Sequence, residues 1–256
     1  NHQKAIAVEQ REIAEHRYET VLDLSRDVIG GFYKGIVKLN AAMDVRKLVL
    51  DSSMEHISDL EKTAGATDQI QAVKAKTHSL MGDYYAGLTG SNMGNISESE
   101  NHHQIAIQLF EELVQNGNNK YNYHIAIGYS DLAHLRRLTE EYGESLTLLE
   151  TAKEIIAQFL KDYPGDKNGL RADSRFRLTR FDVLQTLNRM DEAQEELQQL
   201  ASYRKRMATE SPKNLMLRRD YANVLLRVGS LYLQKEEYAQ SIQSYEEAKT
   251  LFETLV

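Results

Sequence analysis

The feature that most constrains the fold of this chain is a pair of small residues, twelve positions apart, each set in an apolar pattern of helical spacing. Its clearest copy consists of Leu225, Val228, Gly229 and Tyr232, followed by Tyr238, Ser241, Tyr245 and Ala248. Because glycine has no side chain, Gly229 allows a second helix to approach closely at Ser241, and Tyr232 and Tyr245 fill the space beside that contact. The pattern therefore predicts two helices joined by a short turn.

The amino-acid composition favours helices over strands. The 256 residues include only two prolines, Pro164 and Pro212, and fourteen glycines, fewer turn residues than a β-rich chain of this length needs. No run of about 18 apolar residues is present, so the sequence predicts no membrane-spanning segment. The absence of cysteine excludes disulfides, thiolate metal sites and cysteine nucleophiles. A net charge of −7 argues against general binding to nucleic acid.

Three other stretches repeat the helix-pair pattern. The first copy has Met81, Gly82 and Tyr85, then Ala106, Phe110 and Leu113, with about twelve extra residues in its turn. The second copy has Tyr129, Leu132 and Ala133, then Tyr142, Ser145, Leu149 and Ala152. The third copy has Phe181 and Leu184, then Met190, Ala193, Leu197 and Leu200. The last three copies start 48 residues apart. These motifs resemble the tetratricopeptide repeat, a helix pair that stacks into a superhelix and binds other proteins, although that repeat usually spans about 34 residues. We therefore expect longer helices here.

The predicted fold is all-α: a right-handed tetratricopeptide-like superhelix, or α-solenoid, of about ten helices. Residues 1–66 are expected to form an atypical N-terminal cap or connector that opens with a helix over residues 3–29, and residues 67–256 to form four helix pairs continuous with it. After that opening helix, helices are predicted over residues 43–64, 67–88, 102–115, 120–138, 142–162, 167–187, 191–210, 214–234 and 238–255. Gly65 is expected to cap the first of these. A long loop is expected over residues 89–101, either as a partner contact or as a structural insertion shaped by Gly90 and Gly94.

The stretch from Arg17 to Leu113 carries a more specific set of motifs. They are Arg17-Tyr18, Arg46-Lys47-Leu48, Gly65, Gly82-Asp83 and the run Gly90-Ser91-Asn92-Met93-Gly94. In this order they resemble the region that follows the catalytic domain in some bacterial serine/threonine protein kinases with tetratricopeptide tails. The resemblance implies a parent kinase, often with one membrane helix between its catalytic domain and this region, so that Asn1 would lie just past the membrane. The 256 residues themselves contain no kinase phosphate loop, HRD or DFG motif.

The histidines and the paired glutamates have side chains that could serve catalysis or metal binding, but structural roles account for them better. His102 and His103 lie near Glu98 and Glu100, but adjacent helical residues point about 100° apart and so seldom share one metal ion. We therefore expect a solvated helix start at these two histidines. His56 and His78 read as core residues. The pairs Glu140-Glu141, Glu195-Glu196, Glu236-Glu237 and Glu246-Glu247 read as helix starts or outer faces. We therefore expect no catalytic, metal or cofactor-binding residues and no cofactor.

A basic stretch lies inside this acidic chain. Residues 171–219 contain eleven Lys or Arg and seven Asp or Glu. The first helices of stacked pairs line the concave face, and the repeat frame predicts groove-facing positions on them at Ser130, His134, Arg137, Arg175, Asp182, Gln185, Asn223, Ser230 and Gln234. Because guanidinium groups bind carboxylates in a bidentate manner, the groove would suit an acidic peptide or a C-terminal carboxylate. The alternatives are that these arginines pair with neighbouring helices, or that they contact a phosphate backbone, which no aromatic interleaving supports.

The predicted function is protein–protein interaction, as the C-terminal sensor or scaffold region of a larger bacterial signalling protein, with a serine/threonine kinase as the leading candidate. The expected partner is a protein or peptide, with no nucleic acid, and the N-terminal helix is the candidate for homodimerisation. The alternatives are a stand-alone adaptor and the ligand-binding tail of a transcriptional regulator. With an upstream membrane helix the chain would be extracytoplasmic, and otherwise cytoplasmic. Because the first residue is Asn, we expect an excised piece of a longer polypeptide or a processed chain.

Overall fold

A computed structural model describes residue 33 and residues 43–88 and 91–254, and among these residues the secondary structure is helical, with no strand. The α-helices are α1 Met43–Ala64, α2 Asp68–Ala86, α3 Ile96–Gln115, α4 Asn122–Leu138, α5 Tyr142–Asp162, α6 Lys167–Thr186, α7 Met190–Glu210, α8 Leu215–Gln234 and α9 Tyr238–Glu253, with a short 3₁₀ helix at Asn119–Tyr121 before α4. The predicted all-α class is confirmed. The predicted opening helix over residues 3–29, the dimerisation proposed for it and Gly90 lie outside the described residues.

The predicted 48-residue period recurs in the turns that join α4 to α5, α6 to α7 and α8 to α9. Glu140, Asn188 and Glu236, spaced 48 residues apart, have φ values of 64°, 57° and 61°. After each of them, the next residue's backbone N–H donates to the carbonyl five residues earlier, over 2.8 to 2.9 Å. This is the bond that closes a helix C-terminus of the Schellman type, in which glycine normally takes the left-handed position. The same turn therefore ends the first helix of three successive pairs.

A second turn recurs with the same period between one pair and the next. Helices α5 and α7 end two residues before Pro164 and Pro212, as the prolines predict. Two residues after each proline, Asp166 and Asn214 cap α6 and α8 by accepting backbone N–H groups through a side-chain oxygen. The local sequence therefore sets where α6 and α8, the first helices of their pairs, begin.

The described residues form two compact units, and the division falls within α4 after Leu135. In the first unit, α1 packs antiparallel to α2, and its core residues are Ile57, Leu60, Ile70 and Val73, with Tyr33, Leu50 and Tyr84 at the other end. In the second unit, the core between α6, α7 and α8 consists of Phe181, Leu184, Ala193, Leu197, Leu200, Val224 and Leu231. Helix α7 therefore packs against both its own first helix and the next one, as expected for stacked helix pairs. The continuity of the cap with residues 67–256 in one array stays a prediction.

The insertion between α2 and α3 is shorter than predicted. Helix α3 begins at Ile96, not His102, because Asn95 caps it by accepting the N–H of Glu98. The segment before it is pinned to the end of α2: the N–H groups of Met93 and Asn95 donate to the carbonyls of Tyr84 and Tyr85 over 3.1 and 3.0 Å. The expectation of a loop reaching Asn101 was therefore wrong.

Two glycines and one arginine of the motifs named from the sequence shape this first unit. Gly65 ends α1 with φ of +78°, as expected of a helix-capping glycine, and Gly94 has φ of +69°. Arg46 is 4% exposed, and its Nη1 donates to the Ser91 carbonyl over 2.6 Å while its guanidinium lies against the Tyr33 and Tyr84 rings. The insertion is thus held by a buried cation.

Within the described part of the chain, no helix combines the length and the apolar character needed to cross a bilayer.

Candidate partner-binding face

The nine residues predicted to face a partner all lie on first helices of their pairs. Ser130, His134 and Arg137 are on α4; Arg175, Asp182 and Gln185 are on α6; Asn223, Ser230 and Gln234 are on α8. In the structure, these nine residues differ in how much of their surface is exposed and in which side chains they contact.

Ser130 and His134 are buried, with 0% and 6% of their surface exposed. The Ser130 hydroxyl donates to the carbonyl of Ala126 one turn earlier, so it is satisfied within its own helix. Because almost none of either side chain reaches the surface, both residues pack mainly inside the fold.

The predicted residues of α6 and α8 meet across the two helices. Gln185 Nε2 donates to Gln234 Oε1 over 2.8 Å, and the Arg227 guanidinium pairs with the Asp182 carboxylate. The Asp182 side chain is 15% exposed and that of Arg227 41%. Arg227 was absent from the sequence prediction, although it lies four residues after Asn223 and shares its helical face.

We call this surface the α6–α8 face; its residues are Arg175, Asp182, Gln185, Asn223, Leu226, Arg227, Ser230, Leu233 and Gln234. Asn223 and Gln234 are exposed, and Arg175, Gln185 and Ser230 are partly exposed. Leu226 and Leu233 add apolar area, with 40% and 50% of their surface exposed. The α6–α8 face therefore combines hydrogen-bonding groups with exposed leucines, a mixture that suits recognition of a peptide.

Part of the predicted basic stretch pairs with neighbouring helices. Arg177 and Arg180 lie 2.7 and 3.4 Å from the carboxylate of Glu196 on α7, and Arg204 lies 3.5 Å from Asp220 on α8. Glu196 is only 8% exposed, so its predicted place on an outer face was wrong. Burial raises the pKa of this carboxyl, and the two arginines oppose that effect by favouring its charged form. This cluster stabilises the packing of α6 on α7.

Some of the histidines differ from their predicted placement. His103 is 1% exposed rather than solvated, because the early start of α3 puts it beyond the first turn and facing α2. His102 lies beside His78, with Nδ1 atoms 2.9 Å apart, and stacks on Tyr85. Burial and the neighbouring His102 lower the pKa of His78 to about 4. His56 is exposed and hydrogen-bonds to the Ser52 carbonyl, so its predicted core position was wrong, whereas that of His78 is confirmed.

Comparison with known protein families gives a match over one part of the chain. A family model described as a tetratricopeptide repeat matches residues 222–254, which cover most of α8 and all of α9. No curated protein matches the chain. Together with the helix pairs, the match supports a tetratricopeptide-like region whose general role is protein–protein interaction.

Proposed function

We propose that this chain binds a protein partner by taking an extended peptide onto the α6–α8 face. The observation that carries the proposal is the pairing of two successive first helices through Gln185–Gln234 and Asp182–Arg227, with Asn223, Leu226 and Leu233 exposed on α8. A peptide backbone needs hydrogen-bond partners along its length and apolar contacts at alternate side chains, and this face offers both.

The charge of the face suggests the class of peptide. Arg175 and Arg227 are its two guanidinium groups, against one carboxylate, Asp182. A guanidinium accommodates a carboxylate through two parallel hydrogen bonds, so a peptide with acidic residues or a free C-terminus suits a face that carries two such groups. Leu226 and Leu233 would take apolar side chains of the same peptide.

The experiment is selection from an immobilised peptide library whose members carry either a free or an amidated C-terminus. Peptides with acidic residues or free C-termini should be retained, and Arg175→Glu should weaken them at least about tenfold, as expected when an ion pair becomes a repulsion. Arg206→Glu, the same change at an exposed site on α7, is the matched control. A library that yields no ligand, or ligands that bind the folded Arg175→Glu variant equally well, would contradict the proposal.

We also propose that this module is the C-terminal region of a larger bacterial signalling protein, with a serine/threonine kinase as the parent. The support is the resemblance of residues 17–113 to the tails of such kinases, in which the N-terminal helix would relay partner occupancy or dimerisation. The native gene sequence upstream of Asn1 tests this directly. Kinase motifs followed by about twenty apolar residues would make the chain an extracytoplasmic sensor tail. An initiator Met or a signal peptide close to Asn1 would leave a stand-alone adaptor instead.

A further inference from the structure

Three helices of the first unit each direct one metal-ligating side chain to a common point. They are Asp83 on α2, His103 on α3 and Asp131 on α4, and one ligand atom from each lies within 4.8 Å of the other two. His103 and Asp131 are 1% and 4% exposed, while Asp83 is partly exposed. The residues are far apart in sequence, so the packing of the helices brings them together.

His103 is the member that indicates a ligand. Its Nδ1 is fully buried and makes no hydrogen bond to any of the described residues, and it points towards Asp131 Oδ2 across 3.9 Å, too far for a direct bond. The ring packs closely against Gly82, where a Cβ would lie 2.6 Å from Cε1 and Nε2 of His103. A buried polar atom without a partner is costly, so this geometry leaves the nitrogen poised for a group between it and the carboxylate.

We propose that Asp83, His103 and Asp131 bind one divalent transition-metal cation, of which Zn²⁺ is the representative. One imidazole nitrogen and two carboxylates are ligands that such ions accept. Nitrogen and oxygen ligands lie about 2.0–2.2 Å from zinc, so the ligand atoms around one ion are at most about 4 Å apart. A shift of less than about an ångström, within reach of aspartate rotamers, therefore closes the cluster around an ion.

The position of the cluster indicates what the ion does. Partial exposure of Asp83 provides a path of entry and room for a water ligand, as an open coordination position requires. The ion would cross-link the first helix pair, α2 and α3, to the next helix, α4, and so stabilise the packing of the first unit. It also gives the Gly82-Asp83 motif a physical role: the glycine makes room for the histidine ring, and the aspartate supplies a ligand.

The experiment is a titration of chelator-treated protein with Zn²⁺, followed by calorimetry and thermal denaturation. The expected result is one zinc ion per chain and a melting temperature that rises with zinc concentration. Asp131→Asn and His103→Gln should each weaken binding by at least about 100-fold, because each removes a direct ligand. His56→Gln, which changes an exposed histidine on α1, should bind zinc as the unmodified chain does.

A second pair of nitrogens provides the competing site. The Nδ1 atoms of His78 and His102 are 2.9 Å apart, and zinc bound there would be lost in His78→Gln but kept in Asp131→Asn. That outcome, or a melting temperature unaffected by zinc, would overturn the proposal. If the ligand variants fail to fold, zinc X-ray absorption of the unmodified chain decides: one imidazole among oxygen ligands supports the site, and two imidazoles contradict it.

Discussion

The hydroxyl of Ser241 on α9 donates a 2.8 Å hydrogen bond to the carbonyl of Gly229 on α8. Ser99 on α3 makes the same bond to Gly82 on α2, over 2.9 Å. In each pair the missing glycine side chain lets the helices approach until a serine hydroxyl reaches the opposite backbone. The first and last pairs of the described helices are therefore closed by the same contact.

Enlarging Gly229 should destabilise the last helix pair. A Cβ at this position would lie 2.8 Å from Cε1 of Tyr245, so the ring or the helix must move. We expect Gly229→Ala to lower the free energy of unfolding by about 1–3 kcal/mol, despite the higher helix propensity of alanine. Ser241→Ala, which removes only the hydrogen bond, should cost about 1 kcal/mol. Denaturant unfolding followed by circular dichroism measures both.

The matched control is Gly143→Ala, because a Cβ at this glycine of α5 meets no atom of the described residues within 4 Å. Without a clash, only the helix propensity changes, and the variant should be as stable as the unmodified chain or more stable by up to about 1 kcal/mol. Equal destabilisation by Gly143→Ala and Gly229→Ala would contradict the role of close packing at Gly229.

Glycine at the recurring left-handed turns should stabilise the second unit. A residue with a Cβ loses about 1–2 kcal/mol in this conformation, and asparagine tolerates it better than glutamate does. Glu236→Gly should therefore raise the free energy of unfolding by up to about 1 kcal/mol, and Asn188→Gly by less. Melting temperatures of the two variants check this order. A larger gain at Asn188 than at Glu236 would show that the turn is not limited by backbone strain.

The period of the repeats could be predicted from sequence because local residues set it. Pro164 with Asp166, and Pro212 with Asn214, each stop one helix and start the next without help from distant contacts. The contact between Gly229 and Ser241 followed from their spacing alone. The first pair was harder: 17 residues separate Gly82 from Ser99, against 12 in the last pair, and Ser99 lies in a polar run that resembles a loop.

The sequence predicted which helices carry the candidate residues, but not the contacts that those residues make. Helical spacing placed Asp182, Gln185 and Gln234 on first helices, where the structure joins two of them directly. It could not show that Ser130 is enclosed or that Arg227 completes an ion pair, because both depend on how neighbouring helices pack. Burial of His103 was missed for the same reason.

Replacing Arg46 should loosen the insertion between α2 and α3. Its guanidinium is buried against two tyrosines and holds the Ser91 carbonyl, which an ammonium group cannot do in the same geometry. We expect Arg46→Lys to lower the free energy of unfolding by about 1.5–3 kcal/mol. It should also speed amide exchange at Met93 and Asn95, whose N–H groups donate to the end of α2.

Lys47→Met, one residue later, serves as the control for this change. The Lys47 side chain is half exposed and, among the described residues, forms its ion pair with Asp51 on its own helix, so the substitution should change stability by less than about 0.5 kcal/mol. Fast exchange at Met93 in both variants would mean that Arg46 does not hold the insertion.

Stability should fall as the pH drops from about 6.5 towards 4, through His78. Burial first, then the charges of His102 and Lys74, lower the folded pKa of His78 to about 4, against 6.5 for the unperturbed group. Burial also lowers the pKa of His102, whose ring contacts His78 and Tyr85 and whose helix carries Glu98.

Between these pH values the unfolded chain binds the proton that the folded chain excludes, so the contribution of His78 is complete above pH 6.5 and lost on the way to pH 4. The depression corresponds to at most about 3 kcal/mol. Denaturant unfolding at pH 5 and pH 7.5, with chelator present, should show a smaller pH difference for His78→Gln than for the unmodified chain. An equal difference in the two proteins would mean that other groups carry the pH dependence.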